Sequence, residues 1–274
     1  MLQSRPVGDH LRQWRQRRRM SQLTLALESD ISTRHLSFVE TGRSTPSRDM
    51  VLRLADQLDV PLRDRNSMLL AAGHAPVFPE RPFGDAALDP AREAMGLVLR
   101  GLEPYPAIAI DRHWNLIASN GSLEPFLVGV GQELLSPPVN VLRLSLHPAG
   151  LARRIVNLAE WRFHLLERLR RQVAVFADPV LGDLLAELRG YDVPDRRTAA
   201  DPAAERDGSS AVEAFVVPLR IQTNEKLLSF ISTTTVFGTP VDVTLSELAI
   251  EAFLPADAAT AAALADMALT RSDA

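Results

Sequence analysis

Between Ser21 and Arg43 the chain sets two short helical periods on either side of a two-residue break, and no other stretch limits the fold as strongly. SQLTLALES opens on a serine able to accept a free amide of the first turn, with Leu25 and Ala26 as a packing face. Asp30 and Ile31 make the turn. STRHLSFVET begins on a second capping serine, Ser32, and stops at Gly42, where a positive φ costs no Cβ clash. At about 100° per residue, Leu36 and Val39 share one side of this second helix, and Arg34, Phe38 and Thr41 gather on the other. An aromatic ring opposite the packing side marks a face shaped to touch something.

The flanks carry the same helical grammar. GDHLRQWRQRRRM places Leu11 and Trp14 at helical spacing beside a strongly basic face that includes Arg12 and Arg17 to Arg19. PSRDMVLRLADQLDV and PLRDRNSMLLAAG supply two more amphipathic helices. Charge is distributed unevenly: residues 1–79 hold 12 Arg, no Lys and 8 acidic residues, a formal +4, whereas the rest of the chain carries −8 within a total of −4. The N-terminal part can favour a polyanion; the remainder should not.

Composition excludes several classes. With 274 residues and 46% hydrophobic content, the chain can bury a sizeable core and is long enough for two domains. No apolar run approaches the ~18 residues of a membrane span, and the early arginines leave no signal-peptide core. These features predict a cytoplasmic chain with no membrane partner. With no Cys, neither a disulfide framework nor a thiolate metal site is available, and His113, His147 and His164 lack ligand spacing. No metal and no cofactor is expected. No catalytic residue is assigned, because GVG at Gly129 to Gly131 is not a dinucleotide-binding turn and neither G-x-S-x-G nor H-E-x-x-H occurs.

Two short helices joined by a tight turn inside a five-helix unit form a helix-turn-helix, whose second helix enters the major groove. S-Q-x-x-L-A at Ser21 to Ala26, then Ser32, E-x-G-R at Glu40 to Arg43, and Pro46-Ser47 resemble the phage-repressor-like, lambda-repressor-like helix-turn-helix family often called XRE. The turn departs from that family's pattern by carrying Asp30 instead of Gly, and Asp tolerates the left-handed region better than most residues.

The resemblance implies double-stranded DNA as partner and gives roles to six positions. Gln22 would bond a phosphate or orient a recognition side chain. Thr33, Arg34 and Phe38 would face base edges, Arg34 with a bidentate contact to guanine and Phe38 against a thymine methyl. His35 and Arg43 would flank the site or contact phosphate. Arg15 and Glu40 match a buried structural ion pair of similar repressors. Two plainer readings stay open: Phe38 folding back on the fourth helix or a dimer partner, and Arg12 with Arg17 to Arg19 as a solvated helix face.

From Gly73 the composition changes to Pro and Gly, and GHAPVFPERPFGDAALDP reads as a linker or strap. PAREAMGLVLRGLEP, with Ala94, Leu97 and Val98 on one side, opens the second domain or forms a dimer helix. PAIAID and WNLIASN predict a hairpin, and SLEPFLVGV a short helix. HPAGLARRIVNLAEWRFHLLERLRRQV predicts one long helix, and PVLGDLLAELRG a shorter one. DVPDRRTAADPAAERDGSS lacks large apolar residues and predicts a mobile loop. AVEAFVVPLRI, KLLSFISTTTVFG and DVTLSELAIEAFLP are strand-like, and an Ala-rich helix closes the chain from Ala258.

The expected fold is therefore multidomain: an all-α five-helix domain over residues 1–75, a linker over 76–90, and an α+β domain with an antiparallel sheet over 91–274. The segments YPAIAIDRHWNLIASN, VNVLRLSLHP, IVNLAEWR and STTTVFGTPVDVTLSELAIE together resemble the MmyB-like ligand-binding domain, which is PAS-like. That resemblance implies a transcription regulator whose second domain holds a small apolar, fatty-acid-like ligand. Candidate ligand contacts are Arg143 and His147 toward an anionic head group, Asn120 after the second strand, and Trp161 on the apolar wall. Each also has a plainer role: Trp161 as core, Asn120 as a cap, His147 as a turn residue. A homodimer is expected, since one such helix reads only a few base pairs. The alternatives are an enzyme acting in the C-terminal pocket with an appended DNA-binding module, and an interaction protein whose helix-turn-helix contacts protein.

Overall fold

A computed structural model describes residues 5–176, 178–192, 217–223, 226–237 and 242–272. The chain divides into two compact units, one of residues up to Asp89 together with Phe237–Glu247, the other of Pro90–Val236 with Leu248–Ala274.

The first unit is all helical apart from its connections: α1 (Val7–Arg17), α2 (Gln22–Glu28), α3 (Thr33–Glu40), α4 (Arg48–Gln57) and α5 (Leu62–Ala71). Three of the five start on a serine. Ser21, Ser32 and Ser47 accept from the amides of Thr24, His35 and Met50, so α2, α3 and α4 each satisfy a donor that the helix itself cannot. Between α2 and α3, Asp30 takes φ 50°, the left-handed conformation that the turn requires. Gly42 has φ 73° and ends α3. Leu11, Trp14, Leu25, Leu36, Val39, Val51, Leu54, Met68 and Leu69 form one buried cluster, each contributing roughly 1.5–3 kcal/mol of apolar burial.

The second unit begins with α6 (Asp89–Gly101), from Pro90 onward, and continues with β1 (Ala107–Ile110), β2 (Leu116–Ser119), α7 (Glu124–Leu127), α8 (Val141–Leu146), α9 (Leu158–Phe176), α10 (Pro179–Arg189), β3 (Leu219–Gln222) and β4 (Leu227–Val236). The connection that follows contains α11 (Val243–Ser246), and β5 (Ala249–Pro255) and α12 (Ala258–Ser272) close the described chain. The five strands form one antiparallel sheet in the order β2-β1-β5-β4-β3. Ile108, Ile110, Phe230 and Phe253 pack into a core with Trp161, Leu165 and Leu169 of α9 and the leucines of α10. The five-helix domain and the α+β domain with its antiparallel sheet are those expected from the sequence.

Two local expectations are revised, and a third falls outside the described residues. The long helix expected from His147 begins only at Leu158, because Pro148 and Gly150 break the preceding turn and Ile155 forms a β-bridge with Ile221. DVTLSEL is not strand: Asp242 accepts from the Thr244 amide and caps α11, and the strand begins at Ala249. The stretch expected as a loop after α10 lies, beyond Asp192, outside the described residues, as does AVEAF of the strand expected after it.

Candidate nucleic-acid interface and ligand cleft

The helix-turn-helix is fastened by one carboxylate. Glu40, at the end of α3 and buried, accepts from Arg15 Nε at 2.6 Å and Nη2 at 2.8 Å, and from Gln22 Nε2 at 2.7 Å. Arg15 also donates to the Met20 carbonyl at 2.9 Å. These bonds to Glu40 hold the Arg15 guanidinium further toward its charged form, against the opposing pull of burial. Helices α1, α2 and α3 are thus tied at one point, and Gln22 is held by its amide nitrogen. The ion pair expected of Arg15 and Glu40 is present.

Close contact between α1 and the end of α3 depends on Gly8. A Cβ there would sit 2.5 Å from the Val39 carbonyl oxygen and 2.8 Å from that of Glu40, both backbone atoms.

On the outward side of α3, the Arg34 guanidinium lies 5.3 Å and that of Arg43 5.9 Å from the centre of the Phe38 ring. Arg34 and Arg43 are exposed, and Phe38 is half-buried beneath them. Cations over an aromatic face gain by attraction to its quadrupole, so the ring orients both arginines along one ridge. Thr33 occupies the first helical position, half-buried. His35 turns toward α4, its Nε2 3.2 Å from Met50 Sδ. The structure therefore gathers Arg34, Phe38 and Arg43, sets Gln22 on the next helix by way of Glu40, and leads the His35 ring away to α4.

The basic face of α1 is partly engaged. Arg17 and Arg18 lie 5.0 and 5.9 Å from the Trp14 ring, and Arg18 donates to the carbonyls of Leu58 and Asp59 at the end of α4. Cations suit the carbonyl end of a helix.

In the second unit, Pro106, Leu123, Phe126, Leu151, Leu219, Ile221, Phe230 and Phe253 line a cleft of about 50 Å³ with entirely apolar walls. Phe126 and Phe230 meet edge to face, 5.7 Å apart. Farther along the same strands, the buried Glu251 pairs with the half-buried Arg168. Arg168 of α9 donates to Glu251 at 2.6 Å and to Thr234 at 2.9 Å, with its guanidinium 4.5 Å from the Trp114 ring.

The four residues proposed from sequence as ligand contacts are not among those lining this cleft. Asn120 is buried and its amide is committed to backbone, accepting from Ala107 and donating to Leu99 and Tyr105. Trp161 packs in the core, donates to Ser145 and stacks on His164. Arg143 and His147 do come together, with Glu187 and Tyr191: Arg143 grips the Glu187 carboxylate with Nε and Nη2, and the His147 ring meets Tyr191 at 5.0 Å. Arg143, by hydrogen bonding to Glu187, holds that carboxyl below its usual range. Phe126, Phe230 and Phe253 went unselected in the sequence because an aromatic residue beside a cleft and one inside a core have the same strand pattern; only packing separates them. Among the described residues there is no group of three or more acidic or His side chains placed to hold a metal, and no helix long and apolar enough to cross a membrane.

Comparison with known proteins gives two family matches. Residues 91–267 match the model described as MmyB-like transcription regulator ligand binding domain, and residues 11–64 match a helix-turn-helix model. The uncharacterized HTH-type transcriptional regulator RghRB of Bacillus subtilis (strain 168) is 38% identical over 76 residues, 27% of this chain; the match spans 52% of that relative, about half its length. The clp gene regulator ClgR from Corynebacterium glutamicum is similar at 26% identity over 36% of this chain and 90% of its own, with a TM-score of 0.22.

Proposed function

Because the chain belongs to the MmyB-like transcription regulators, with a helix-turn-helix ahead of the ligand-binding domain, we propose that it reads operator DNA with α3 and answers to an apolar ligand. The observation that carries this reading is the ridge made by Arg34 and Phe38 on the outward side of α3 with Arg43 just past its end, while Leu36 and Val39 are buried. In the groove, Arg34 has the fork geometry for guanine O6 and N7, and Phe38 an apolar edge for a thymine methyl. Arg43 and the N-terminus of α2 with Gln22 supply phosphate contacts, and Thr33 and His35 flank the base-reading pair. Two copies on a two-fold operator would double the few base pairs one α3 reads, and α6 supports pairing, since Ala94, Leu97 and Val98 turn outward while Met95 and Leu99 are buried. Such a chain would act in the cytoplasm, on the nucleoid.

The all-apolar walls of the cleft favour an acyl chain or similar molecule over a polar one. At about 50 Å³ it is far below the ~300–1,000 Å³ of typical ligand sites. Entry of a fatty-acid-like ligand must therefore spread Phe126, Phe230 and Phe253, and binding and widening become one event. The five-stranded antiparallel sheet carrying α8, α9 and α10 on its apolar face supports the PAS-like reading of the domain.

Selection of binding sites from randomised duplexes with the intact chain tests the DNA half. A two-fold motif should emerge, and Arg34→Ala should lose preference at one base pair per half-site. Recovery of no motif would refute it. Native mass spectrometry of the purified chain, with dodecanoate added, tests the ligand half and reports the oligomeric state in the same spectrum.

A further inference from the structure

The strands β4 and β5 pair over seven registers, from Phe230↔Pro255 to Val236↔Ala249. Antiparallel neighbours of this kind are usually joined by about 2–5 residues. Here β5 is entered from residues 242–247, which belong to the helix-turn-helix unit and not to the sheet.

Their attachment there is specific. Val243 is fully buried and its amide donates to the Pro79 carbonyl at 2.8 Å. Asp242, also buried, pairs with Arg81 at 2.8 Å, and Thr244 Oγ1 donates to the Arg81 carbonyl at 2.6 Å. Glu247 receives Arg63 Nε at 2.7 Å and Nη2 at 2.9 Å, a two-pronged contact, and Arg63 bonds Glu80 as well. A bidentate guanidinium–carboxylate contact fixes direction as well as distance, which a single-point contact does not. Arg63 stands in the first turn of α5, whose Met68 and Leu69 lie in the core that supports α3.

The same two strands carry the apolar cleft: Phe230 is on β4 and Phe253 on β5. Spreading those side chains loads both strands, including the one that residues 242–247 enter. Resting on the ligand-sensing reading above, we infer that residues 242–247, which lead into β5, are the transmission element between ligand cleft and DNA-reading helices, with the Arg63–Glu247 contact as its principal fastening. The coupling has a defined route: Phe253 along β5 to Ala249, then Glu247 to Arg63, then α5 to the helix-turn-helix core. Coupling of this kind must be reciprocal, so anything that stiffens α5 also resists widening of the cleft.

Hydrogen exchange on the intact chain tests this without DNA and without any ligand, so its failure is distinguishable from failure of the functional reading. Phe253→Trp overfills the cleft, and Phe253→Leu relaxes it should the larger ring prevent folding. Each is made in the natural background and in one carrying Arg63→Met with Glu247→Leu, which removes both partners and leaves neither charge unpaired by the other. Amides of α5 and of residues 243–247 should change exchange rate by about fivefold or more in the natural background. In the unfastened background that change should vanish, while amides of β4 and β5 respond equally in both. Equal transmission to α5 in both backgrounds, or none in the natural one, overturns the inference.

Discussion

Replacing Glu40 by Gln keeps the shape of the side chain and removes its charge at the point where three helices meet. In the native chain the carboxylate side chain is 2% exposed and accepts three hydrogen bonds, two of them from Arg15, whose own side chain is 11% exposed. Gln offers one acceptor oxygen and one NH₂ group, so at least one of the three donors would face another donor. Breaking a buried ion pair by changing one partner costs about 3–5 kcal/mol, because the remaining charge stays buried. Arg15 retains its bond to the Met20 carbonyl and some contact with water, which places the expected loss at the lower end, about 3 kcal/mol. That is a large part of a typical ~5–15 kcal/mol of domain stability. Exchange of the α1 and α3 amides reads it directly as a faster opening of the first unit, with the α9 and β4 amides as internal reference. The companion variant Arg15→Met with Glu40→Leu should recover most of the loss, since no charge is then buried alone. Gln22 loses its anchor in the double variant, so specific DNA affinity should fall there even where stability is recovered. A loss below about 1 kcal/mol for Glu40→Gln, or a double variant less stable than the single one, would refute the reasoning.

Two other perturbations have outcomes set by the geometry. Gly8→Ala forces a Cβ to within 2.5 Å of the Val39 carbonyl, so despite Ala's better helix propensity it should cost about 1–3 kcal/mol in urea denaturation of the intact chain, whereas Gly182→Ala, with open space, should be neutral or stabilising. Asp178 caps α10 through the Val180 amide; burial opposes its ionisation, but hydrogen bonds from His113 and Val180 and the charge of Arg112 prevail and hold its pKa low. A carboxyl with a depressed folded pKa adds stability above its unfolded value of about 3.9, lost as pH falls through the folded value, so the advantage over Asp178→Asn should be present at neutral pH and shrink below about pH 4 in paired thermal melts.

Much of the first unit was legible because its signals are local. The serines that start α2, α3 and α4, Asp30 in the left-handed turn and Gly42 at the end of α3 each act within four residues of where they sit. The Arg15–Glu40 pair came from family resemblance, and its third member, Gln22, emerged only from packing. In the second unit the errors share a cause. Ile155 looks helical by spacing but bridges to Ile221, a partner 66 positions away, and the strand-like DVTLSEL is held as a helix turn by Asp242 and the N-terminal unit. The ligand cleft is harder still, since its eight residues come from strands, loops and short helices spread from Pro106 to Phe253. The basic and polar residues chosen from sequence for it are spent on backbone carbonyls, Ser145 and Glu187.

The most direct test of the account is DNA affinity of the intact chain as a function of salt, for the natural sequence and for Arg43→Ala and Phe38→Ala. Log affinity should fall linearly with log salt, by about 0.9 for each phosphate neutralised. Arg43→Ala should make that slope shallower by about one contact on every sequence, whereas Phe38→Ala should leave the slope in place and erase preference at one base pair. Affinity indifferent to salt, with neither substitution altering it, would contradict the placement of α3 in a duplex groove.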